Sequence, residues 1–232
     1  MAGEGTVEAA GGPAVIAGWM DKHREMYRRA TKHPFVLSIR GGTVDLSSFK
    51  RWLEQDYVFV RGFVPFVASV LLKASRESDD ETDMETILGG MASLYEELSW
   101  FRTEAFKWGL PLVDIIPRRA NQDYCGFLRS LEEPEVDYTT TMVALWAIET
   151  VYQESFSLCL EDGSKTPPEL METCQRWGNA GFRGYCDSLR RIAERRLEMA
   201  QAGIQKNAEA AFERVLELEV SFWDMSSGSS PL

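Results

Sequence analysis

The chain has 232 residues, enough to bury a sizeable core as one large domain or two small ones. Its 44% hydrophobic and 11% aromatic content is that of a globular protein, and a net charge of −11 with a pI near 4.8 argues against nucleic acid and anionic membrane surfaces as partners. No unbroken apolar run approaches the ~20 residues of a spanning helix, and Met1 to Gly12 carries neither an apolar nor an Arg-rich targeting pattern, so a cytoplasmic protein is expected.

Residues 1–12 are Gly- and Ala-rich and are expected to be disordered. A first helix is expected from Pro13 to about Thr31, on the stripe Ile16, Trp19, Met20, His23, Met26 and Tyr27. Pro34 pushes His33 away from helical dihedrals, so a new short segment starts there, and Gly41-Gly42 breaks it. Ser47 or Ser48 is placed to cap a long helix through Asp56 to about Ser75, with a kink expected at Gly62 and Pro65. The acidic run Ser78 to Glu81 suits the start of the next helix, which reaches Trp108 and stops at Gly109. Pro117 opens a helix carrying Tyr124, Phe127, Leu128 and Leu131, and Thr139 to about Leu160 forms another long one. Pro167-Pro168 begins a short helix to about Trp177, and Gly178 to Gly181 is a turn. A basic-rich helix from Phe182 to about Ala202 and a last helix from Lys206 to Trp223 follow, with residues 226–232 as a flexible tail. No segment alternates with period two and no glycine-rich phosphate loop is present. The expected fold is all-α, a single domain over residues 13–225 with seven or eight helices around a central polar cavity.

Three carboxylates interrupt the apolar stripes. Asp56 has Trp52, Leu53, Phe59 and Val60 at helical spacing; Glu219 has Val215, Leu216, Phe222 and Trp223; Glu149 has Leu145, Trp146 and Tyr152, with Gln153 its one polar neighbour. Positions three and four apart share a helix face, so each acid points inward with its neighbours. An unpaired buried carboxylate is costly and calls for a partner, a shifted pKa or a ligand. Three of them on three helices suggest one shared cavity. Glu97 and Glu104 are flanked about as well as Glu149, and with 36 acidic residues some fall on apolar stripes by chance; Asp56 and Glu219, with four apolar neighbours each, stand out. The bland alternative for Asp56 is a scaffold ion pair with Arg40 or Arg61.

The four cysteines (Cys125, Cys159, Cys174 and Cys186) show no CxxC pair and no metal-ligand spacing, and read as free, mostly buried thiols. His23 and His33 are the only histidines, and neither belongs to an ExxH pair, which counts against a di-iron site and against histidine-based triads. No metal and no cofactor is expected.

Several motifs fall in a familiar order. His33-Pro34-Phe35-Val36 followed by Glu54-Gln55-Asp56-Tyr57 resembles the opening of the TenA (thiaminase II-like) family, and Glu219-Val220-Ser221-Phe222-Trp223 resembles its closing E-x-x-F-W signature. Tyr124 and Tyr152 fall where that family has cavity tyrosines, and the resemblance spans about residues 14 to 225. It implies a haem-oxygenase-like helical bundle without haem, a homodimer or homotetramer, and hydrolysis of aminopyrimidines related to the pyrimidine half of thiamin. The best-known members carry a catalytic Cys four residues before the tyrosine matched by Tyr152; here that position is Ile148, and Glu149 is next to it. The chain thus looks like the TenA_E subgroup, in which a glutamate replaces the cysteine. That resemblance implies salvage of thiamin breakdown products, from formylaminopyrimidine to aminopyrimidine to hydroxymethylpyrimidine, and does not carry over cleavage of intact thiamin. Phe59 and Trp177 stand where family members tend to have tyrosine, keeping a stacking wall and losing a hydroxyl.

The chemistry suits the acids. A 4-aminopyrimidine offers an NH2 donor beside a protonatable ring nitrogen, which one carboxylate, Asp56, can engage as a bidentate pair. Phe59, Tyr124 and Trp177 would sandwich the ring. Glu219, the most apolar-flanked acid, is expected to have a raised pKa and to donate or shuttle the proton; Glu149 would be base or electrostatic partner, and Tyr152 would orient one of the acids. A rival from another class is a non-catalytic aminopyrimidine binder on the same fold, and a further one is an oxidoreductase of the di-iron or cofactorless type.

Overall fold

The structure, a computed structural model, describes residues 14–228, so the disorder expected of residues 1–12 and the tail beyond Gly228 lie outside the described residues. Within them the chain forms ten α-helices, one 3₁₀ turn and no strand. These are α1 (Val15–Lys22), α2 (Arg24–Thr31), α3 (Pro34–Arg40), α4 (Leu46–Glu77), α5 (Glu81–Lys107), α6 (Arg119–Glu132), α7 (Tyr138–Leu158), the turn Pro168–Leu170, α8 (Met171–Gly178), α9 (Ala180–Met199) and α10 (Ala202–Ser227).

Short polar side chains set the starts. Asp45, rather than Ser47 or Ser48, caps α4 by accepting from the Ser47 amide at 3.1 Å, and Asp80, Asp137 and Asn179 do the same for α5, α7 and α9. The first expected helix is divided at His23, whose backbone leaves the helical region (φ −100°, ψ 21°) while its ring bonds Glu209 of α10 at 2.9 Å. The expected turn at 178–181 shrinks to Asn179 alone, extended at φ −76°, ψ 163°. Pro65 and Gly62 leave α4 as one helix; Pro65 faces solvent, where water can satisfy the carbonyl its ring frees. The last helix continues past Trp223 to Ser227, with Ser226 fully buried, and ends at Gly228 with φ +78°.

Helix α7 is buried almost all round, which marks a central helix rather than a surface one. It packs against α10, α9, α8 and α4, while α4 packs on α5 and α6, and α10 also meets α2, α4 and α6. By length and composition α4 could cross a membrane, a property that no unbroken apolar run reveals because Glu54, Gln55, Asp56 and Arg61 interrupt it. Its apolar side chains Phe49, Trp52, Leu53 and Phe66 are fully buried in the protein core. The polar cavity opens where α4, α5, α7 and α8 converge.

Candidate active site

Asp56 on α4 and Tyr152 on α7 meet across the helix pair: the Tyr152 hydroxyl donates to Asp56 Oδ1 at 2.6 Å. Asp56 has no exposure, and its Oδ2 has no partner. Arg40 instead pairs with Glu161, and Arg61 lies over the Tyr57 ring, so the scaffold ion pair is not formed. Burial pushes the Asp56 carboxyl well above the usual range; the Tyr152 bond opposes this, and the charges of Glu97 and Glu219 add to it.

Glu219 on α10 is equally enclosed. Its Oε1 accepts from the Tyr124 hydroxyl at 2.7 Å, and its Oε2 is unpartnered. Burial, partly offset by the Tyr124 bond, pushes it up to about 8, so it is a neutral acid near pH 7. Glu149 on α7 is raised well above its ordinary value, first by burial and then by the charges of Glu97 and Glu219. It is crowded on most sides, but its accessible surface is only half-buried because one side opens on solvent-connected space. Burial also keeps the Tyr124 and Tyr152 phenols protonated, so both act as donors.

Two adjacent spaces lie here. An inner recess of about 20 Å3 is lined by Asp56, Phe59, Glu97, Glu149, Tyr152 and Trp177, with Ile148 beside Glu149. An outer chamber of about 340 Å3 is bordered by Glu96, Glu97, Glu149, Arg176, Trp177 and Tyr185. Leu94, Glu97, Glu149 and Trp177 border both, and so form the boundary between them. The recess has room for roughly one water, so a pyrimidine ring enters only if its aromatic walls give way. Phe59 packs on Tyr124 with ring centroids 4.6 Å apart, and Trp177 packs on Phe156 at 5.2 Å and on Tyr152 at 5.9 Å.

Five of the seven residues singled out from sequence therefore line one recess: Asp56, Phe59, Glu149, Tyr152 and Trp177. Tyr124 and Glu219 do not line it; they sit behind Phe59, close enough for the Glu219 charge to act on Asp56 and Glu149. Glu97 of α5 is the residue that sequence selection left out. Its flanking by Leu94, Trp100 and Phe101 was as apolar as that of Glu149, and that was the signal. Burial raises it to about 7, against the opposing pull of the Arg176 guanidinium and the Trp177 indole. Glu104, flanked in the same way, is a scaffold acid that accepts from Trp108 Nε1 at 2.8 Å and pairs with Lys107 at 2.9 Å. Among the described residues, no three His, Cys, Asp or Glu side chains are grouped to hold a metal ion. The four cysteines are free, three of them buried.

This arrangement can anchor a ring bearing adjacent donor groups, supply a proton near neutrality and accept one at a solvent-connected carboxylate. A model of the TENA/THI-4/PQQC family matches residues 20–229. A protein of Glycine max named a probable bifunctional TENA-E protein is 60% identical over 211 residues, covering 91% of this chain and 92% of that one. An aminopyrimidine aminohydrolase of Halalkalibacterium halodurans is 22% identical over 214 residues, covering 90% and 94%. The X-ray structure of a TenA homologue from Pyrococcus furiosus superposes with a TM-score of 0.83 at 21% identity, covering 91% of this chain and 99% of that one. The chain belongs to the TENA/THI-4/PQQC family, in its plant-type TenA_E branch, and has the haem-oxygenase-like helical fold of the TenA proteins.

Proposed function

We propose that this protein hydrolyses thiamin-derived aminopyrimidines in thiamin salvage, taking formylaminopyrimidine to aminopyrimidine and aminopyrimidine to 4-amino-5-hydroxymethyl-2-methylpyrimidine. The observation that carries the reading is Asp56: a carboxyl without exposure, held by Tyr152 through one oxygen and left unpartnered at the other, on the wall of a recess. An unpartnered buried acid is destabilising unless a ligand completes it. The amino edge of a 4-aminopyrimidine does so. Its NH2 donates to one carboxylate oxygen, and the proton that the raised pKa keeps on Asp56 is shared with the ring nitrogen.

With the ring so held, its 5-methylene substituent extends toward Glu149 and the outer chamber that it borders. Glu149, on the side that water reaches, serves as base for the attacking water. The C–O bond forms at the methylene carbon as the C–N bond breaks, and the nitrogen leaves with a proton. Glu219, protonated up to about pH 8, supplies that proton once Phe59 has yielded to the ring. Tyr152 and Tyr124 hold the two acids in place. The same reading takes the protein as cytoplasmic and as a homodimer or homotetramer, supported by large apolar side chains left exposed on α4 and α5: Leu72, Leu88, Tyr95 and Phe106.

The test is product release. Purified protein given aminopyrimidine and formylaminopyrimidine should liberate ammonia and formate respectively. Tight binding of either compound without product would leave a binder rather than an enzyme.

A further inference from the structure

Deamination and deformylation break bonds at different distances from the ring. If the proposed reading holds, Asp56 fixes the pyrimidine, the methylene carbon sits near Glu149, and an acyl carbon on the exocyclic nitrogen lies two bonds further out. The outer chamber lies beyond Glu149, which borders it, and the amine reaction assigns no proton transfer to Glu97 or Arg176. Glu97 stands at the boundary, common to the inner recess and the chamber. Arg176, on α8 one residue before Trp177, borders the chamber; its guanidinium lies over the Trp100 ring at 5.0 Å, and its buried Nε has no partner. Tyr185 completes the wall against Gly90.

We infer that the outer chamber is an acyl subsite, in which Glu97 and Arg176 hydrolyse the N-acyl group of N-acylated aminomethylpyrimidines, and that it accepts acyl groups larger than formyl. Glu97 takes a proton from water as the water oxygen bonds to the acyl carbon. Arg176 donates to the acyl oxygen as negative charge gathers there, which is where a preorganised donor has most effect. The tetrahedral intermediate then collapses: the C–N bond breaks, Glu97 returns its proton to the departing nitrogen, and a carboxylic acid and the free amine result. No further reactant is needed. The carboxyl suits both steps because its pKa is pushed up to about 7, so it gains and loses a proton with little penalty. The size argument concerns the chamber itself. A formyl group fills about the volume of a water molecule, ~30 Å3, and the chamber is about 340 Å3. Acetyl and propionyl groups fit such a space, and a carboxylate-ended acyl group would find Arg176.

The experiment compares formate release from N-formyl aminopyrimidine with ammonia release from aminopyrimidine, in wild-type protein and in Glu97→Gln. The variant is expected to lower kcat/KM for formate release by at least about 100-fold, and to lower ammonia release by a factor at least ten times smaller. Wild-type protein is also expected to release acetate from the N-acetyl compound. Equal loss of both activities with the wild-type unfolding temperature retained, unimpaired formate release, or failure to cleave the N-acetyl compound would each overturn the inference. Should Glu97→Gln be unfolded, the wild-type pH profile decides. Formate release must rise through about pH 7 as Glu97 deprotonates, and a profile flat through that range is contrary. A wild-type protein that releases ammonia but behaves contrarily here sinks the acyl subsite and leaves the aminopyrimidine reading standing; one that releases neither product sinks both.

Discussion

At the scale of single residues, the site is a set of acids sorted by what surrounds each. Asp56 and Glu219 share full burial and a tyrosine donor at 2.6 and 2.7 Å, yet only Asp56 reaches the recess. One is therefore placed to hold the ring and the other to hold a proton. Glu149 and Glu97 border the outer chamber, where water can reach them. Replacing Glu219 by Gln keeps shape and the Tyr124 bond but removes the transferable proton, so ammonia release should fall by at least about 100-fold while the unfolding temperature stays within a few degrees. The wild-type kcat for ammonia release should decline as pH rises through about 8, because an acid catalyst is lost on deprotonation. A Glu219→Gln protein with most of the wild-type rate would remove Glu219 from the mechanism.

At the scale of elements, the cavity depends on how closely α5 and α9 approach. A Cβ on Gly90 of α5 would lie 2.0 Å from the Tyr185 hydroxyl and 2.5 Å from its ring, so the α9 tyrosine reaches the chamber only because that position has no side chain. Gly90→Ala gains helix propensity, about 1 kcal/mol, but displaces the whole Tyr185 ring. Substrate KM should rise several-fold with little loss of thermal stability, which steady-state kinetics and a melting curve would read together. Much at this scale was legible in the sequence. The stripes around Asp56, Glu149 and Glu219 located their helices because apolar spacing is a local property. Two features were not legible. The break at His23 depends on Glu209, 186 residues away, and the place of Glu219 behind Phe59 rather than on the recess depends on how α4, α6 and α10 cross. Glu97 and Glu104 had equivalent flanks; Glu104 is held locally by Lys107 and Trp108, three and four residues on, whereas Glu97 meets Arg176 and Trp177 from α8, a tertiary contact that marks it as the cavity acid.

At the scale of the whole molecule, the raised pKa values of the four site acids, Asp56, Glu97, Glu149 and Glu219, make the free protein sensitive to alkali. Each holds its proton to a higher pH in the folded state than in the unfolded chain, which releases it above about 3.8 for Asp56 and about 4.5 for the glutamates, so stability is fullest below those values and declines as pH rises through the folded pKa. For Glu219 the window runs from about 4.5 to about 8, and the loss approaches about 1.4 kcal/mol per pH unit within it. Unfolding temperature should therefore fall between pH 5.5 and 8, and less steeply in Glu219→Gln. An unchanged slope in that variant would mean that Glu219 is not protonated in the native protein. The exposed apolar face of α4 and α5 leads to a second expectation: light scattering should give the mass of a dimer or tetramer, and Leu88→Glu, at a side chain 56% exposed, should shift it toward the monomer. The central claim is that Asp56 is the anchor for an aminopyrimidine, and a structure with hydroxymethylpyrimidine bound tests it most directly. The account predicts the amino group and adjacent ring nitrogen within hydrogen-bonding distance of Asp56, with Phe59 or Trp177 displaced to admit the ring. A ring bound elsewhere, with Asp56 still paired to Tyr152 alone, would contradict it.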